Sequence, residues 1–354
     1  MKNNDLSFIP RLLPAWYEKN ARRLPWREDK EPYHVWLSEI MLQQTRVEAV
    51  IGYYNRFLSA LPTIRALAEV PDEQLMKLWE GLGYYSRARN LKKAAAQIQT
   101  QFDGVFPQTY DEIRLLPGIG PYTAGAVASI CFGLPTPAVD GNVLRVYSRL
   151  TAWGENVDTQ KAKNEATQAL RPLYKKNLCG TLTQSLMELG ACVCVPNGVP
   201  KCEACPLAAY CKANAAGTQI DFPVRGEKKK RKIIYKTVLV LRCGDCVAIQ
   251  KRPASGLLAG LWEFPNFDAE TAEAAADLEK AAAFAAALGV KPLDLVSRAS
   301  YTHIFTHVEW RMTAFYFVCA AMPDTLHWPT EEELSKTYAL PSAFRPFADA
   351  LHPR

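Results

Sequence analysis

Leu116-Pro117-Gly118-Ile119-Gly120-Pro121-Tyr122-Thr123-Ala124-Gly125-Ala126 and Val139-Asp140-Gly141-Asn142-Val143-Leu144-Arg145-Val146 carry the reading of this chain. In each, a glycine turn runs straight into a helical pattern. A turn that opens a helix leaves backbone N–H groups unpaired and aimed at an anion. A lone Gly-x-Gly is an ordinary helix–helix turn. The weight lies in the pairing of Gly118 and Gly120 with an aspartate eighteen residues after Tyr122, itself at a helix start.

Outward from these stretches the pattern stays helical. Leu37, Ile40, Met41, Val47, Ile51, Tyr54 and Leu58 recur with a helical period over Tyr33–Leu61. Asp72–Glu80, Ser86–Gln101, Asp111–Leu116 and Tyr122–Cys131 read the same way, separated by Gly and Pro pairs. Short links between many helices predict an all-α bundle over residues 1–220. At Asp221 the character changes. A basic connector, 221–233, leads to Ile233–Cys243 and Cys246–Arg252, β-rich runs flanking the two-residue turn Gly244-Asp245. Strands at Trp262–Phe264, Ala299–His307 and Trp310–Cys319 and an alanine-rich helix at Ala272–Leu288 complete an α+β domain over 234–354.

A length of 354 residues predicts two domains. The net charge of +6 permits a polyanionic partner without demanding one. Pro10, Arg11 and Pro14 interrupt any secretory apolar core, and the stretch Ala281–Val290 is too short to span a bilayer. A cytoplasmic protein with no membrane partner is expected. Its ten cysteines then need a reason other than disulfides. Cys194, Cys202, Cys205 and Cys211 follow C-x7-C-x2-C-x5-C, a spacing that can surround one centre, either an iron–sulfur cluster or a structural zinc. Cys131, Cys179 and Cys319 read as core, and Cys243 and Cys246 as structural residues flanking a turn.

Glu39 and Gln43 lie four apart in Trp36-Leu37-Ser38-Glu39-Ile40-Met41-Leu42-Gln43-Gln44-Thr45, with Arg46 following at seven, so one helix face is expected to carry all three. By itself that is a solvated polar face. Glu39 and Asp140 in different environments could instead divide acid–base work, one carboxyl kept protonated by burial and the other staying ionised.

Taken together, LPGIGPYTAGA and VDGNVLRV resemble the helix-hairpin-helix, Gly/Pro…Asp signature of the endonuclease III superfamily of DNA glycosylases. WLSEIMLQQT resembles the MutY family within it almost residue for residue. The resemblance implies a six-helix barrel at about 28–135 and a [4Fe–4S] subdomain built from 1–27 plus 136–220. The four cysteines are then the cluster ligands, although the family's first gap is usually six residues and here is seven, Val195–Lys201. The hairpin at Gly118 and Gly120 would grip a DNA phosphate, often with a monovalent cation. Related lyases place a lysine where Tyr122 stands. Tyrosine cannot form a Schiff base, so base removal without strand scission is expected.

The same resemblance makes Glu39 the acid that protonates adenine N7 and Asp140 the stabiliser of the sugar cation, by charge or through a covalent bond, with Tyr122 and Asn142 around the attacking water. It lines the adenine pocket with Arg22, Trp26, Arg27 and Gln184. It sets Tyr84 beside the opposite base, with Gln44, Thr45 and Leu82. The C-terminal half resembles the Nudix fold without its acidic metal-binding helix, so binding rather than hydrolysis is expected. Phe305-Thr306-His307 stands where the family reads 8-oxoguanine with Phe-Ser-His. The expected partner is duplex DNA with adenine opposite 8-oxoguanine or guanine. The expected molecule is a monomer at the bacterial nucleoid. The run Lys228–Lys232 reads as a solvated linker with possible phosphate contacts. Three other readings are a glycosylase/lyase for oxidised pyrimidines, a Nudix hydrolase with a helical appendage, and a non-catalytic iron–sulfur module. They are opposed respectively by Tyr122, by the missing acidic helix, and by Glu39 with Asp140.

Overall fold

A computed structural model describes residues 5–227 and 230–351. Lys228 and Lys229 of the basic run lie outside the described residues. Among the described residues, twelve α-helices appear in the first part of the chain: α1 (Ile9–Asn20), α2 (Pro32–Leu42), α3 (Val47–Ala60), α4 (Ile64–Glu69), α5 (Asp72–Leu78), α6 (Ser86–Gln101), α7 (Tyr110–Arg114), α8 (Pro121–Phe132), α9 (Gly141–Thr151), α10 (Gln160–Leu170), α11 (Cys179–Cys192) and α12 (Lys212–Ala216). Two compact units result. Residues up to Glu69 with Arg89–Glu227 make the first. Val70–Ala88 with the residues from 230 onward make the second.

In the first unit the capping chemistry is local. Proline stands at the first helical position of α2 and α8, where its missing N–H costs nothing. Asp140 caps α9 by accepting from the Val143 N–H at 2.7 Å. Thr109 and Glu112 form a capping box on α7. Helix α11 runs through the middle, packed against α1, α8 and α9, while α2 packs on α8 and α3. Leu13, Val143, Val146, Leu150, Leu182, Leu186 and Leu189 form the core beside α9 and α11.

The helical period over Tyr33–Leu61 hides a break. Helix α2 ends at Leu42, Gln44 takes φ 59°, and α3 begins at Val47 after Arg46. Arg46 therefore does not share a helix face with Glu39. Nor is Glu39 on a polar face, because Tyr33, Val35–Ile40 and Met41 are all buried.

The second unit is built on a mixed sheet of β1 (Lys232–Cys243), β2 (Cys246–Val247), β5 (Asn266–Ala269), β6 (Pro292–Ile304) and β7 (Val308–Cys319), with β3 (Gln250–Lys251) and β4 (Trp262–Glu263) as a separate pair. The order is β2-β1-β7-β6. Strand β5 pairs with the first half of β1, and β1 and β7 run parallel. Alternate residues of β1 point to opposite cores: Val238 and Val240 meet Trp310, Phe344 and Phe347, whereas Leu239 and Leu241 meet Phe315, Phe317, Ala281 and Ala285. The alanine-rich stretch forms two helices, α13 (Ala272–Ala275) and α14 (Leu278–Ala287), the second capped by Asp277. Two short helices follow, α15 (Glu331–Lys336) and α16 (Arg345–Asp349).

Candidate active site

A cavity of about 870 Å³ opens in the helical unit, and Glu39, Tyr122, Asp140 and Asn142 all line it. Glu39 sits in the last turn of α2, 6% exposed. Its Oε2 accepts from the Tyr122 hydroxyl at 2.6 Å. Asp140 stands at the start of α9. Its Oδ1 is used by the cap, and its Oδ2 accepts from Asn142 Nδ2 at 2.7 Å. Arg145 holds Asn142 in turn: its Nη2 donates to Asn142 Oδ1 at 2.8 Å and to the Gly190 carbonyl at 2.7 Å, and its Nε donates to the Cys194 carbonyl at 2.7 Å. Gly190 permits this approach, since a Cβ there would lie 2.6 Å from Cβ of Asn142.

The environments of the two acids differ. Burial pushes the Glu39 carboxyl up to about 7, and the Asp140 charge adds to the rise, while the Tyr122 hydrogen bond and Arg27 oppose it. Burial also raises Asp140, but the Val143 and Asn142 hydrogen bonds and the Arg145 charge pull the other way. Tyr122 is pushed well above its ordinary value by burial and by both carboxyls, so its hydroxyl remains a donor. The net direction at Asp140 is upward too, with those contacts offsetting part of the cost of burying its charge, while Glu39 holds its proton more firmly than a free glutamate, as acid-assisted departure of a base requires.

Arg22, Trp26, Arg27 and Gln184 form another wall of the same cavity. Trp26 packs edge-on to Tyr54, ring centroids 5.4 Å apart. Gln184 Oε1 accepts from the Tyr17 hydroxyl at 2.9 Å. Sequence reasoning missed the residue that organises this wall, Glu188. Its carboxylate has no solvent exposure and accepts from Arg22 Nε at 2.8 Å and from Arg27 Nη2 at 2.8 Å. Burial alone would raise it, yet the two guanidiniums hold it at about 2. The available signal was spacing: Gln184 and Glu188 are four apart on α11 and share a face.

Gln44, Thr45, Gly118 and Gly120 also border the cavity, as does Gln43, whose Nε2 reaches Thr123 Oγ1 at 3.5 Å. Gly118 has φ 78°, and a Cβ there would lie 2.7 Å from Cβ of Asn90, so the turn before α8 requires glycine.

Leu82, Tyr84 and Phe305–His307 belong to the other unit. Leu82 is buried, whereas Tyr84 is 44% exposed and takes φ 47°. Phe305-Thr306-His307 forms the turn between β6 and β7. Phe305 anchors the turn against Trp310, 4.9 Å between centroids, and against His303, and leaves Thr306 and His307 exposed. The Tyr84 hydroxyl is hydrogen-bonded to Thr306 Oγ1.

Cys194, Cys202, Cys205 and Cys211 all line a second, small cavity of about 30 Å³. Arg149 Nη1 donates to Cys194 Sγ at 3.3 Å, and Gln219 Nε2 to Cys202 Sγ at 3.8 Å. Among the described residues no three His, Cys, Asp or Glu side chains gather closely enough to hold a single metal ion. Four sulfurs around one cavity, with N–H donors turned towards them, fit a polynuclear cluster held by thiolates. Cys131 is pushed up to about 12 by burial, and Cys179 and Cys319 are buried. Cys243 and Cys246 face each other across β1 and β2.

Among the described residues no helix is long and apolar enough to cross a membrane. Residues 37–172 match the model of the HhH-GPD superfamily of base excision DNA repair proteins, and residues 237–350 match the NUDIX domain. Solved structures agree with the helical half. A thermostable thymine-DNA glycosylase superposes with TM-score 0.52 at 26% identity, covering 58% of this chain and 95% of that one. A trapped endonuclease III–DNA covalent intermediate superposes with TM-score 0.52 at 24% identity, covering 61% and 99%, a likeness of fold. Fold and cavity thus define a helix-hairpin-helix base excision repair glycosylase. An adenine DNA glycosylase of Buchnera aphidicola subsp. Baizongia pistaciae is 39% identical, over 71% of this chain and 72% of that one. The rat and human adenine DNA glycosylases are 33% and 32% identical, over 86% and 91% of this chain and 69% and 70% of theirs. The chain belongs to the adenine DNA glycosylase family and is an enzyme of base excision repair.

Proposed function

We propose that this enzyme hydrolyses the bond between adenine and deoxyribose where adenine is paired with 8-oxoguanine, and also with guanine, and that it does not cut the strand. The observation that carries the reading is the meeting of Glu39, Tyr122 and Asp140 in one cavity. The adenine leaves the duplex stack to enter it. Glu39, protonated near neutral pH, delivers its proton to N7. The C1′–N9 electron pair departs with the base. The carboxylate of Asp140 stabilises the cation left on the sugar, directly or through a bond to C1′, until water adds. Asn142 holds the Asp140 carboxylate, and Tyr122 holds Glu39. Arg22, Trp26, Arg27 and Gln184 enclose the base. No amine stands at Tyr122 to form a Schiff base.

Tyr84 and the turn Phe305-Thr306-His307 of the second unit are proposed to read the opposite base, with Leu82 behind Tyr84, and Gln44 and Thr45 are proposed to contact the DNA from the first unit. The support is the Tyr84–Thr306 hydrogen bond, which pairs a stacking ring with a hydroxyl able to bond an oxidised purine edge. The turn at Gly118 and Gly120 would take a phosphate, with a monovalent cation on its carbonyls. The four cysteines would hold a [4Fe–4S] cluster, which in such a place orders the surrounding loop for contact with DNA. The enzyme is proposed to act as a monomer on the nucleoid.

A single-turnover assay on duplexes with adenine opposite 8-oxoguanine, adenine opposite guanine, and thymine glycol opposite adenine tests this. Base loss is expected fastest on the first, with breaks appearing only after alkali. Direct nicking at thymine glycol would overturn it.

A further inference from the structure

We propose that Glu188 is a positioning residue: one buried carboxylate fixes the guanidiniums of Arg22 and Arg27 on the cavity wall and keeps the Arg27 charge from ionising Glu39. The inference rests on the reading of Glu39 as the general acid.

A carboxylate with no exposed surface is costly unless it is paired and fully bonded. Glu188 meets that condition with donors from a distant segment: the Arg22 backbone N–H at 3.0 Å, Arg22 Nε at 2.8 Å, Arg22 Nη2 at 3.0 Å and Arg27 Nη2 at 2.8 Å. Arg27 Nη1 closes the group on the Arg22 carbonyl at 3.2 Å. Both arginines take their orientation from this one side chain. Gln184, Met187, Glu188 and Ala191 all border the cavity and are spaced along one face of α11, so the carboxylate comes from the cavity wall itself.

The charges decide its role. Around Glu188 stand Arg22, Arg27, the Tyr17 ring 5.5 Å from the Arg27 guanidinium, and Cys192, whose thiol lies 3.5 Å from Oε1. Around Glu39 stand Tyr122 on α8, Asp140 before α9, Arg27, and the thiol of Cys131. Arg27 is common to both groups and is the cation that draws Glu39 towards ionisation. With Glu188 ionised, the Arg27 guanidinium is paired with an anion and held in place. Without it, the Arg27 charge acts in full and loses its anchor. A cation nearby favours the carboxylate form, and an acid that must give a proton is then lost at lower pH.

The test is the pH profile of single-turnover adenine release from the 8-oxoguanine duplex, with full-length E39Q, E188Q, E188D and R27M proteins beside the native one. E188Q should move the alkaline limb down by about 1 pH unit, a roughly tenfold loss above it with little loss well below. E188D, which keeps the charge, should leave the limb in place. R27M should move it up. A uniform loss in E188Q at every pH, with the limb unmoved, reduces Glu188 to a structural role and overturns the proposal. Should E188Q fail to fold by thermal melting, R27M decides, and a limb that stays or falls overturns the proposal. E39Q separates the two readings: full activity there removes the general acid itself, whatever Glu188 does.

Discussion

The hydroxyl of Tyr122 donates to Oε2 of Glu39 across 2.6 Å, although the two residues are 83 positions apart. Glu39 is buried and Tyr122 half-buried in the cavity wall, and the contact bears directly on the protonation of Glu39. The hydrogen bond lowers the Glu39 carboxyl while burial raises it, and burial is the larger effect.

The first prediction is a pH profile. Glu39 titrates at about 7, so the acid form is present below that value and lost above it. Adenine release should fall roughly tenfold per pH unit on the alkaline side. Y122F removes the contact that lowers Glu39, so its alkaline limb should shift to higher pH. E39Q should lose about 10²- to 10⁴-fold in rate below about pH 7, a deficit that shrinks on the alkaline side as native Glu39 itself ionises. Because the folded carboxyl is raised above its unfolded value, its contribution to stability is present at acid pH and lost as pH rises through about 7. The melting temperature of E39Q should therefore gain on that of the native protein between pH 5 and pH 8.

Asp140 is both a cap and a charge, and two substitutions part these roles. D140N keeps a side-chain acceptor for the Val143 N–H; D140A does not. Both should abolish measurable base release, while D140A alone should cost about 1 kcal/mol more in urea unfolding. Activity in D140N comparable to native would remove the charge from the mechanism.

Discrimination of the opposite base should follow the Tyr84–Thr306 bond. T306A should reduce the preference for adenine opposite 8-oxoguanine over adenine opposite guanine by about 1–2 kcal/mol, or roughly tenfold. The rate on the guanine pair should change little. Comparison of the two duplexes in one assay reads this directly, and an unchanged ratio would count against the turn as reader.

The cysteine cavity predicts a broad absorbance near about 400 nm in protein purified without oxygen, which zinc would not produce. C202A should weaken that band and DNA binding together. A colourless protein containing one zinc would refute the cluster assignment.

The turn before α8, the cap at Asp140 and the cysteine spacing are local patterns, and each could be read in the chain before any coordinates. The break between α2 and α3 could not, because apolar residues keep a helical period across Gln43–Arg46 while Gln44 takes a left-handed φ. That break removes Arg46 from the face expected to carry it. Glu188 was equally hidden: a glutamate on a helix reads as solvated until Arg22 and Arg27, more than 160 positions away, are seen to hold it. The parallel pairing of β1 with β7 was likewise not legible, since alternation identifies a strand but not its neighbour.

What the chain by itself determined was its kind: turn chemistry, caps and ligand spacing act over a few residues, so they survive in linear order and name a family. What tertiary structure alone decided was ionisation. Whether Glu39 keeps a proton and Glu188 loses one depends on which charges and how much water surround each carboxyl, and packing brings those neighbours from helices far apart in sequence.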